Sequence, residues 1–224
     1  MNGKRLIVEQ ADFISTAADW IRQAIDVVLS EREKCHLMLA GGGTPLPVYK
    51  ALKDMRLPWE RLIVYFGDER CVSPQDPDSN YGSIINSLFP QGPTQGLEIH
   101  RMHGEDDPAT AAQAYAALLP DRMDILLLGM GSDGHTASLF PGSPALEESE
   151  RLVMPVIGSK PPPQRLTITP PVIHSARRIL VMVEGEGKAE AVQRALEKGD
   201  VPVALASHGD WLMDLAAASA LTGS

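Results

Sequence analysis

The segment Asp124-Ile125-Leu126-Leu127-Leu128-Gly129-Met130-Gly131, near the middle of the chain, gives the clearest indication of the architecture. Its apolar run predicts a strand over 124–128 that is buried on both faces, which is typical of the centre of a parallel sheet. The glycines that follow end the strand and open a loop. The segment therefore predicts an α/β fold with this strand in a central position.

Strand-like and helical patterns alternate on both sides of this segment. Apolar runs predict strands over 5–8, 36–40, 62–66, 97–102, 152–157, 165–169 and 179–183. Three- and four-residue apolar steps and helix-start residues predict helices over 12–33, 44–52, 81–88, 108–119 and 188–197. The alternation predicts a mostly parallel sheet with helices on both faces. The proline stretch 161–163 lies between strand-like segments, so we expect a stiff loop inside a single domain over 1–224.

Composition narrows the classes of function. With 20 basic and 29 acidic side chains the net charge is −9, and no Lys/Arg run is present, so neither nucleic acid nor an anionic membrane is expected as a partner. Cys35 and Cys71 form no Cys-x-x-Cys pair, which argues against a disulfide framework or a thiolate zinc site. Residues 1–10 lack a signal-peptide pattern, and no apolar run approaches the ~20 residues of a membrane span. We expect a cytoplasmic protein.

Three loops follow predicted strands directly, at 41–44, 67–70 and 129–135. In a parallel sheet the ligand lies beyond the carboxyl ends of the strands. Because all three loops follow such ends, we expect them to open onto the same rim of the sheet.

The first two loops each allow two interpretations. Gly42, Gly43 and Thr44 join a strand to a helix start, where free N–H groups and the helix dipole can hold a phosphate. They equally suit a tight turn that needs a positive φ, and the spacing matches neither a Walker loop nor a dinucleotide site. Asp68 and Arg70 suit a solvated turn with a local ion pair. Alternatively, Arg70 binds a substrate anion and Asp68 binds a hydroxyl or orients another group.

The third loop carries Asp133 and His135. An imidazole titrates near neutral pH and can take a proton from water, while a carboxylate two residues away could orient it. The alternative is a histidine that caps a helix starting near Thr136, but the position on the rim favours the catalytic interpretation. Arg165 and Lys188 would be ordinary solvated cations elsewhere. At strand ends or helix starts on this rim they could complete an anion site.

Metal ligands and cofactor motifs are not expected. His100 and His103 would point to opposite faces of a strand, and the remaining histidines are isolated. No carboxylate cluster suggests a magnesium site.

Longer motifs around these residues resemble the 6-phosphogluconolactonase family. They are Gly67-Asp68-Glu69-Arg70, Ser79-Asn80-Tyr81 and Gly129-Met130-Gly131-Ser132-Asp133-Gly134-His135-Thr136-Ala137-Ser138-Leu139-Phe140-Pro141. The resemblance implies a three-layer α/β/α, Rossmann-like fold and metal-independent hydrolysis of 6-phospho-D-glucono-1,5-lactone in the oxidative pentose phosphate pathway. It also implies that His135 is the general base and that Arg165 and Lys188 hold the phosphate. We expect a monomer whose only partner is this small sugar-phosphate lactone.

Several alternatives stay open at this stage. Glucosamine-6-phosphate deaminases continue Asp-Gly-His with Ile-Ala-Phe-Asn-Glu, which supplies a further carboxylate, whereas this chain reads Thr136-Ala137-Ser138-Leu139-Phe140. A non-catalytic sugar-phosphate sensor would need a DNA-binding segment, for which no basic N-terminal domain is seen. Either Asp133 or Asp68 could orient His135. The oxyanion donors could be Arg70 or the loop N–H groups near Gly131.

Overall fold

A computed structural model, which describes residues 3–222, contains ten strands and seven α-helices within that range. The strands are β1 (Arg5–Val8), β2 (Cys35–Leu39), β3 (Leu62–Phe66), β4 (Asp68–Arg70), β5 (Glu98–Ile99), β6 (Ile125–Gly129), β7 (Val153–Ile157), β8 (Gln164–Ile168), β9 (Arg178–Val183) and β10 (Asp210–Asp214). The helices are α1 (Gln10–Glu31), α2 (Pro45–Lys53), α3 (Asn80–Leu88), α4 (Pro108–Ala116), α5 (Pro170–Ser175), α6 (Ala189–Gln193) and α7 (Leu215–Ala218).

Seven strands form an all-parallel sheet in the order β1-β10-β9-β6-β2-β3-β5. As predicted, β6 is the central strand. The chain proceeds outward from β2 to β3 on one side and from β6 to β9 on the other, so the direction of winding reverses between β2 and β6. A crevice opens at such a reversal beyond the carboxyl ends of the two strands. The fold therefore places a ligand site where β2 and β6 end.

Helices cover both faces of this sheet, and the side-chain alternation of β6 shows why. Ile125 and Leu127 face a core formed with α1, α2 and α3, whereas Leu126 and Leu128 face a second core formed with α4 to α7. Successive strand residues point to opposite faces, so a strand that is apolar at every position requires cover on both. The expected three-layer α/β/α arrangement is confirmed. The pairing of β1 with β10 joins segments close to both ends of the described range; the single domain over 1–224 stays a prediction.

A second, three-stranded antiparallel sheet, β4-β8-β7, corrects the prediction for the segments 152–157 and 165–169. These segments are strands but lie outside the parallel sheet. The six residues between Ile157 and Gln164 are too few for a parallel crossover, which needs a dozen or more, and they suffice for an antiparallel connection. β4 pairs with β8, and this pairing buries Asp68 and Glu69. The solvated-turn interpretation of 67–70 is therefore wrong.

Smaller differences concern the ends of elements. The predicted strand 97–102 is reduced to Glu98–Ile99, and α5 was not predicted. The predicted helix 188–197 is a 3₁₀ turn that ends at Lys188, followed by α6 and one π turn. No helix begins near Thr136, which instead pairs with Leu139 in an isolated bridge, so His135 is not a helix cap. Within residues 3–222 no helix is long and apolar enough to cross a membrane.

Candidate active site

Two buried tyrosines fix the strand ends from which the site is built. The Tyr49 hydroxyl accepts a hydrogen bond from Ala40 N at 3.0 Å and donates one to Ala40 O at 2.8 Å. The Tyr115 hydroxyl binds Phe66 N and O in the same way, at 2.8 and 3.0 Å. Backbone groups at or just past a strand end lack part of their sheet partners, and a buried group without a partner costs about 1–3 kcal/mol. These two contacts hold the carboxyl ends of β2 and β3 in place.

One cleft at this rim gathers the three predicted loops. Its lining includes every predicted site residue except Asp133, namely Gly42, Gly43, Thr44, Asp68, Arg70, His135, Arg165 and Lys188. Asn80 and Ala137 also line it; both belong to the quoted motifs, but neither was predicted as a site residue. The expectation that loops after neighbouring parallel strands meet at one rim is confirmed. The chemical role of each residue stays a prediction.

His135 is held by Asp133, which lies behind it. His135 Nδ1 is 2.5 Å from Asp133 Oδ1, and the His135 backbone N–H donates to the same oxygen at 3.3 Å. A carboxylate only accepts, so Nδ1 carries the proton and Nε2 of the neutral ring keeps a free lone pair. Partial burial pushes the pKa of Asp133 up, but the hydrogen bond from His135 and the charge of its ring when protonated outweigh that effect, and the pKa is lowered. Asp133, rather than Asp68, is therefore the carboxylate in contact with the imidazole.

Gly131 leaves the space that the side chains of His135 and Asp133 occupy. A Cβ at position 131 would lie 2.2 Å from both Cε1 and Nδ1 of His135 and 2.6 Å from Asp133 Oδ1. The pair can occupy its position only because residue 131 has no side chain. The Gly131 N–H donates to His135 O at 2.9 Å. Since this donor is engaged, it is a poor candidate for an oxyanion contact, and Arg70 and the other N–H groups of the loop stay the candidates.

Replacement of Gly131 by alanine is expected to displace the imidazole. With the lactone that the sequence resemblance implies as substrate, kcat should fall about 10²-fold, because a misplacement of about 1 Å costs roughly that much. KM should change little, since no binding group is removed. Gly187→Ala is the matched control, because its added Cβ would meet no atom within 4 Å. Steady-state kinetics of the two variants check this expectation; equal kcat values would contradict the tight fit at Gly131.

Asp68 lies in a buried polar network at the other side of the cleft. Asp68 Oδ2 accepts from Ser138 Oγ at 2.7 Å, and Oδ1 accepts from Asn80 Nδ2 at 3.0 Å. Ser138 also accepts a long hydrogen bond of 3.4 Å from Arg165 Nη1, and its N–H donates to Thr167 Oγ1. This network ties the loop after β6 to β4 and β8. It orients Asp68 toward the cleft, where a carboxylate suits a sugar hydroxyl.

Glu69 has a structural task that the sequence did not reveal. It is 2% exposed and accepts hydrogen bonds from the backbone N–H groups of Asn80 and Tyr81 at 2.7 and 2.8 Å. These are orphan donors of the first turn of α3. Ser79 Oγ, the N-cap of that helix, donates to Glu69 as well, at 3.0 Å. Glu69 thus anchors α3 and, through it, the position of Asn80.

Arg70 and Arg165 are directly opposite each other in the β4–β8 pairing. Like charges in such a position destabilise a sheet, and neither residue forms a salt bridge with a carboxylate in the described part of the chain. Arg165 is only 5% exposed; burial and then the charge of Arg70 lower its pKa. Arg70 Nε is buried without a hydrogen-bond partner. A bound anion between the two guanidinium groups would relieve both penalties.

Lys188 adds a third cation to the lining of the cleft. Its Nζ donates to Thr44 Oγ1 at 3.4 Å, and burial lowers its pKa despite the carboxylates of Glu184 and Asp214. Asp214, at the end of β10, accepts from the Gly185 N–H at 3.0 and 3.1 Å and so fixes the turn that carries Lys188. Asp214 is not among the predicted site residues, because a contact between residues 29 positions apart depends on tertiary packing.

The glycine turn lies beside Lys188. Gly42 has a φ of +98°, and a Cβ at Gly42 or Gly43 would meet no atom within 4 Å. The turn therefore needs a glycine and also leaves open space beside its backbone. The two interpretations from the sequence, a tight turn with a positive φ and a phosphate site, are compatible. Thr44 precedes α2 without capping it through its side chain, which leaves the hydroxyl in contact with Lys188. The N-terminal end of α2 faces the cleft, where its dipole favours an anion.

Metal ligation has no visible basis in this region. Among residues 3–222, no three His, Cys, Asp or Glu side chains are grouped so as to hold a metal ion. The cleft instead offers cations and backbone N–H groups, a donor set for an anion.

The chain is similar to known proteins in both sequence and fold. The family model for glucosamine-6-phosphate isomerases/6-phosphogluconolactonase matches residues 8–213. A 6-phosphogluconolactonase of Nostoc sp. is 32% identical to the chain over 97% of both proteins. The crystal structure of 6-phosphogluconolactonase from Thermotoga maritima superimposes with a TM-score of 0.85, at 26% identity, over 95% of this chain and 99% of that one.

A deaminase is also among the structural neighbours. A monomeric glucosamine-6-phosphate deaminase superimposes with a TM-score of 0.82, at 25% identity, over 97% of this chain and all of the other. Both activities therefore occur on this fold, and the choice between them depends on site residues. The extent of the family match and the identity to curated relatives show that this chain belongs to the glucosamine-6-phosphate isomerase/6-phosphogluconolactonase family.

Proposed function

We propose that the chain hydrolyses 6-phospho-D-glucono-1,5-lactone to 6-phospho-D-gluconate, the lactonase step of the oxidative pentose phosphate pathway, with His135 as the general base. The observation that carries the proposal is a single cleft that combines a base and an anion site. His135, oriented by Asp133, supplies a free Nε2, and Arg70, Arg165 and Lys188 line the same cleft without a salt-bridge partner in the described structure. The family membership and the curated lactonases support the same substrate class.

The reaction needs two proton transfers, one to His135 and one from it. His135 Nε2 takes a proton from a water molecule as the water oxygen attacks C1, and the C1 carbonyl becomes a tetrahedral oxyanion. In this proposal Arg70, which lines the cleft, stabilises that charge. Collapse of the intermediate breaks the bond between C1 and the ring oxygen, and the imidazolium returns its proton to that oxygen. Asp133 stabilises the imidazolium between the two transfers.

The phosphate contributes by holding the sugar. Arg165 and Lys188 with the turn Gly42–Gly43 form its site in this proposal, and the binding energy orients C1 toward the base. Asp68 and Asn80 would bind sugar hydroxyls.

Deamination of glucosamine 6-phosphate is the alternative, and the site favours it less. Asp68 is the only carboxylate among the described residues that line the cleft. The deaminase motif places a further acid after the Asp-Gly-His, where this chain has Leu139 and the buried Phe140. Without that acid, ring opening of an amino sugar lacks a second proton-transfer group.

The two activities are separated by parallel assays. Purified protein is supplied with the lactone made by glucose-6-phosphate dehydrogenase, and acid release is compared with the spontaneous rate. Ammonia release from glucosamine 6-phosphate is measured on the same preparation. Acid release well above the spontaneous rate without ammonia is expected; lactone loss at the spontaneous rate would refute the proposal, and ammonia production would favour the deaminase.

Removal of metal ions should leave the activity unchanged, because both the base and the anion site consist of side chains and backbone groups. We expect less than a twofold change in kcat after dialysis against EDTA, with activity read by acid release; the factor of two is about the scatter of such a comparison and corresponds to roughly 0.4 kcal/mol. A loss that added Mg²⁺ or Zn²⁺ restores would show that a metal takes part.

We further propose a cytoplasmic monomer without a nucleic-acid partner. The two cysteines are unpaired, which suits a reducing compartment, and the net charge of −9 opposes binding to nucleic acid. The neighbouring deaminase described as monomeric has the same fold. Sedimentation equilibrium measures the mass directly, and a dimer would contradict the proposed state.

A further inference from the structure

Phe140 occupies a position between the two chemical parts of the cleft. Its ring centroid is 4.7 Å from that of His135, with the planes tilted by 37°. The guanidinium carbon of Arg165 is 5.5 Å from the same ring centroid. Phe140 is 5% exposed and does not line the cleft, so it has no direct contact with a bound sugar. One ring thus touches both the general base and the phosphate-binding arginine of the proposed function.

We propose that Phe140 is a positioning residue that sets the placement of His135 relative to Arg165; the inference rests on the lactonase function proposed above. C1 and the phosphate lie at opposite ends of the sugar, so a base and an anion site serve one substrate only if their separation is fixed. The aromatic face attracts the guanidinium and packs against the imidazole. Both contacts depend on a flat π surface, which an aliphatic side chain of similar size lacks.

The surroundings of the ring strengthen this interpretation. A Cβ at Gly158 would lie 2.8 Å from Phe140 Cε2 and 3.1 Å from Arg165 Nε, so the ring and the guanidinium both rest on the same glycine. Arg165 Nε and Nη2 donate to the carbonyls of Pro162 and Lys160 at 3.0 and 3.1 Å. These hydrogen bonds fix the guanidinium of Arg165 to the loop between β7 and β8, and the ring of Phe140 packs against the guanidinium.

The ring is not a central part of the hydrophobic core. Beyond the cleft Phe140 borders a second, mainly apolar cavity with Met154 and Val156 of β7. Substitutions at position 140 can therefore relax into that space, and we expect folded variants. The neighbouring Leu139 is fully buried in the core on the same side of the parallel sheet as β8, which makes it the matched control for packing alone.

Phe140→Leu is the test, with Phe140→Tyr as the ring-retaining variant and Leu139→Met as the control. For Phe140→Leu we expect kcat to fall about tenfold, because the imidazole loses its placement. KM for the phosphorylated lactone should rise about threefold or more, because the guanidinium loses its support. Phe140→Tyr should retain most of both constants, and Leu139→Met should change neither. Circular dichroism verifies the folded state of each variant.

Separate values of kcat and KM distinguish a positioning role of Phe140 from a general loss of structure. A partly unfolded preparation lowers apparent kcat but leaves KM unchanged, so an unaltered KM in Phe140→Leu would overturn the proposal. So would a tyrosine variant as impaired as the leucine variant, or a Leu139→Met variant with the same pair of changes. If the wild-type protein itself releases no acid from the lactone, the proposed function fails and the question about Phe140 does not arise.

Discussion

Replacement of His135 by alanine should lower kcat for the lactone by about 10²–10⁴-fold, the usual contribution of one well-placed general base. Nε2 is the only nitrogen of the ring that is free to accept a proton, because Nδ1 donates to Asp133. Alanine removes both the acceptor and the imidazolium that later protonates the ring oxygen. KM should change little, since the predicted phosphate contacts lie elsewhere. Stopped assays of acid release, corrected for spontaneous hydrolysis, give both constants.

Asp133→Asn is the informative companion to this variant. An asparagine presents an oxygen or an NH₂ group to Nδ1, so the favoured tautomer of His135 is no longer fixed and the imidazolium loses its counter-charge. We expect a smaller loss than in His135→Ala, and the double variant should be no worse than His135→Ala alone because the two residues act as a unit. A loss of less than about tenfold in kcat for His135→Ala would remove His135 from the base role.

Lys188→Met should raise KM for the phosphorylated lactone by about 10- to 100-fold, because a hydrogen bond to a charged group contributes about 1.5–3 kcal/mol. The same substitution should stabilise the unliganded protein. Burial lowers the pKa of Lys188, which means that folding opposes its charge. Methionine fills a similar volume without a charge. Kinetics measures the first effect, and chemical denaturation measures the free energy of unfolding.

The pH dependence of that stability gain follows from the sign of the pKa shift. Below the lowered pKa of folded Lys188 the unfavourable charge is fully present, so the variant has its largest advantage there. As the pH rises through that lowered value toward the ordinary lysine pKa, the wild-type protein loses the penalty and the advantage shrinks. Lys198→Met, at an exposed lysine of the π turn, is the control. A KM equal to wild type, or a less stable unliganded variant, would show that Lys188 is structural.

The position of the His135 loop at the rim could be predicted from the sequence, because a short local pattern specifies it. An apolar strand that ends in glycines specifies both the central strand β6 and the loop that presents His135. The glycine turn at 42–43 follows from the same strand-to-loop pattern after β2. Rim positions of parallel strands converge whatever the rest of the fold does, so proximity of these residues could be predicted without a structure.

Other features depend on pairing, which a strand pattern does not encode. Arg165 reaches the cleft because β8 pairs antiparallel with β4, rather than because it ends a strand of the parallel sheet. The same pairing buries Asp68 and Glu69. In the sequence, these two and Arg70 are three consecutive ionisable residues, a pattern that suggests a solvated turn. Asn80 and Ser138 gain their contacts with Asp68 across 12 and 70 positions of the chain. Contacts over such separations are set by tertiary packing alone.

The position of β10 has a consequence for biosynthesis. β10 lies between β1 and β9, and among residues 3–222 it is the only strand that pairs with β1. Its last residue, Asp214, fixes the Gly185 turn before Lys188. Ribosomes release a chain from its N-terminus onward. A nascent chain can therefore assemble the histidine loop and both arginines while β1 is still unpaired. The turn that carries Lys188 is set only when β10 has emerged, so in the proposed function a newly made molecule completes its phosphate site late in synthesis.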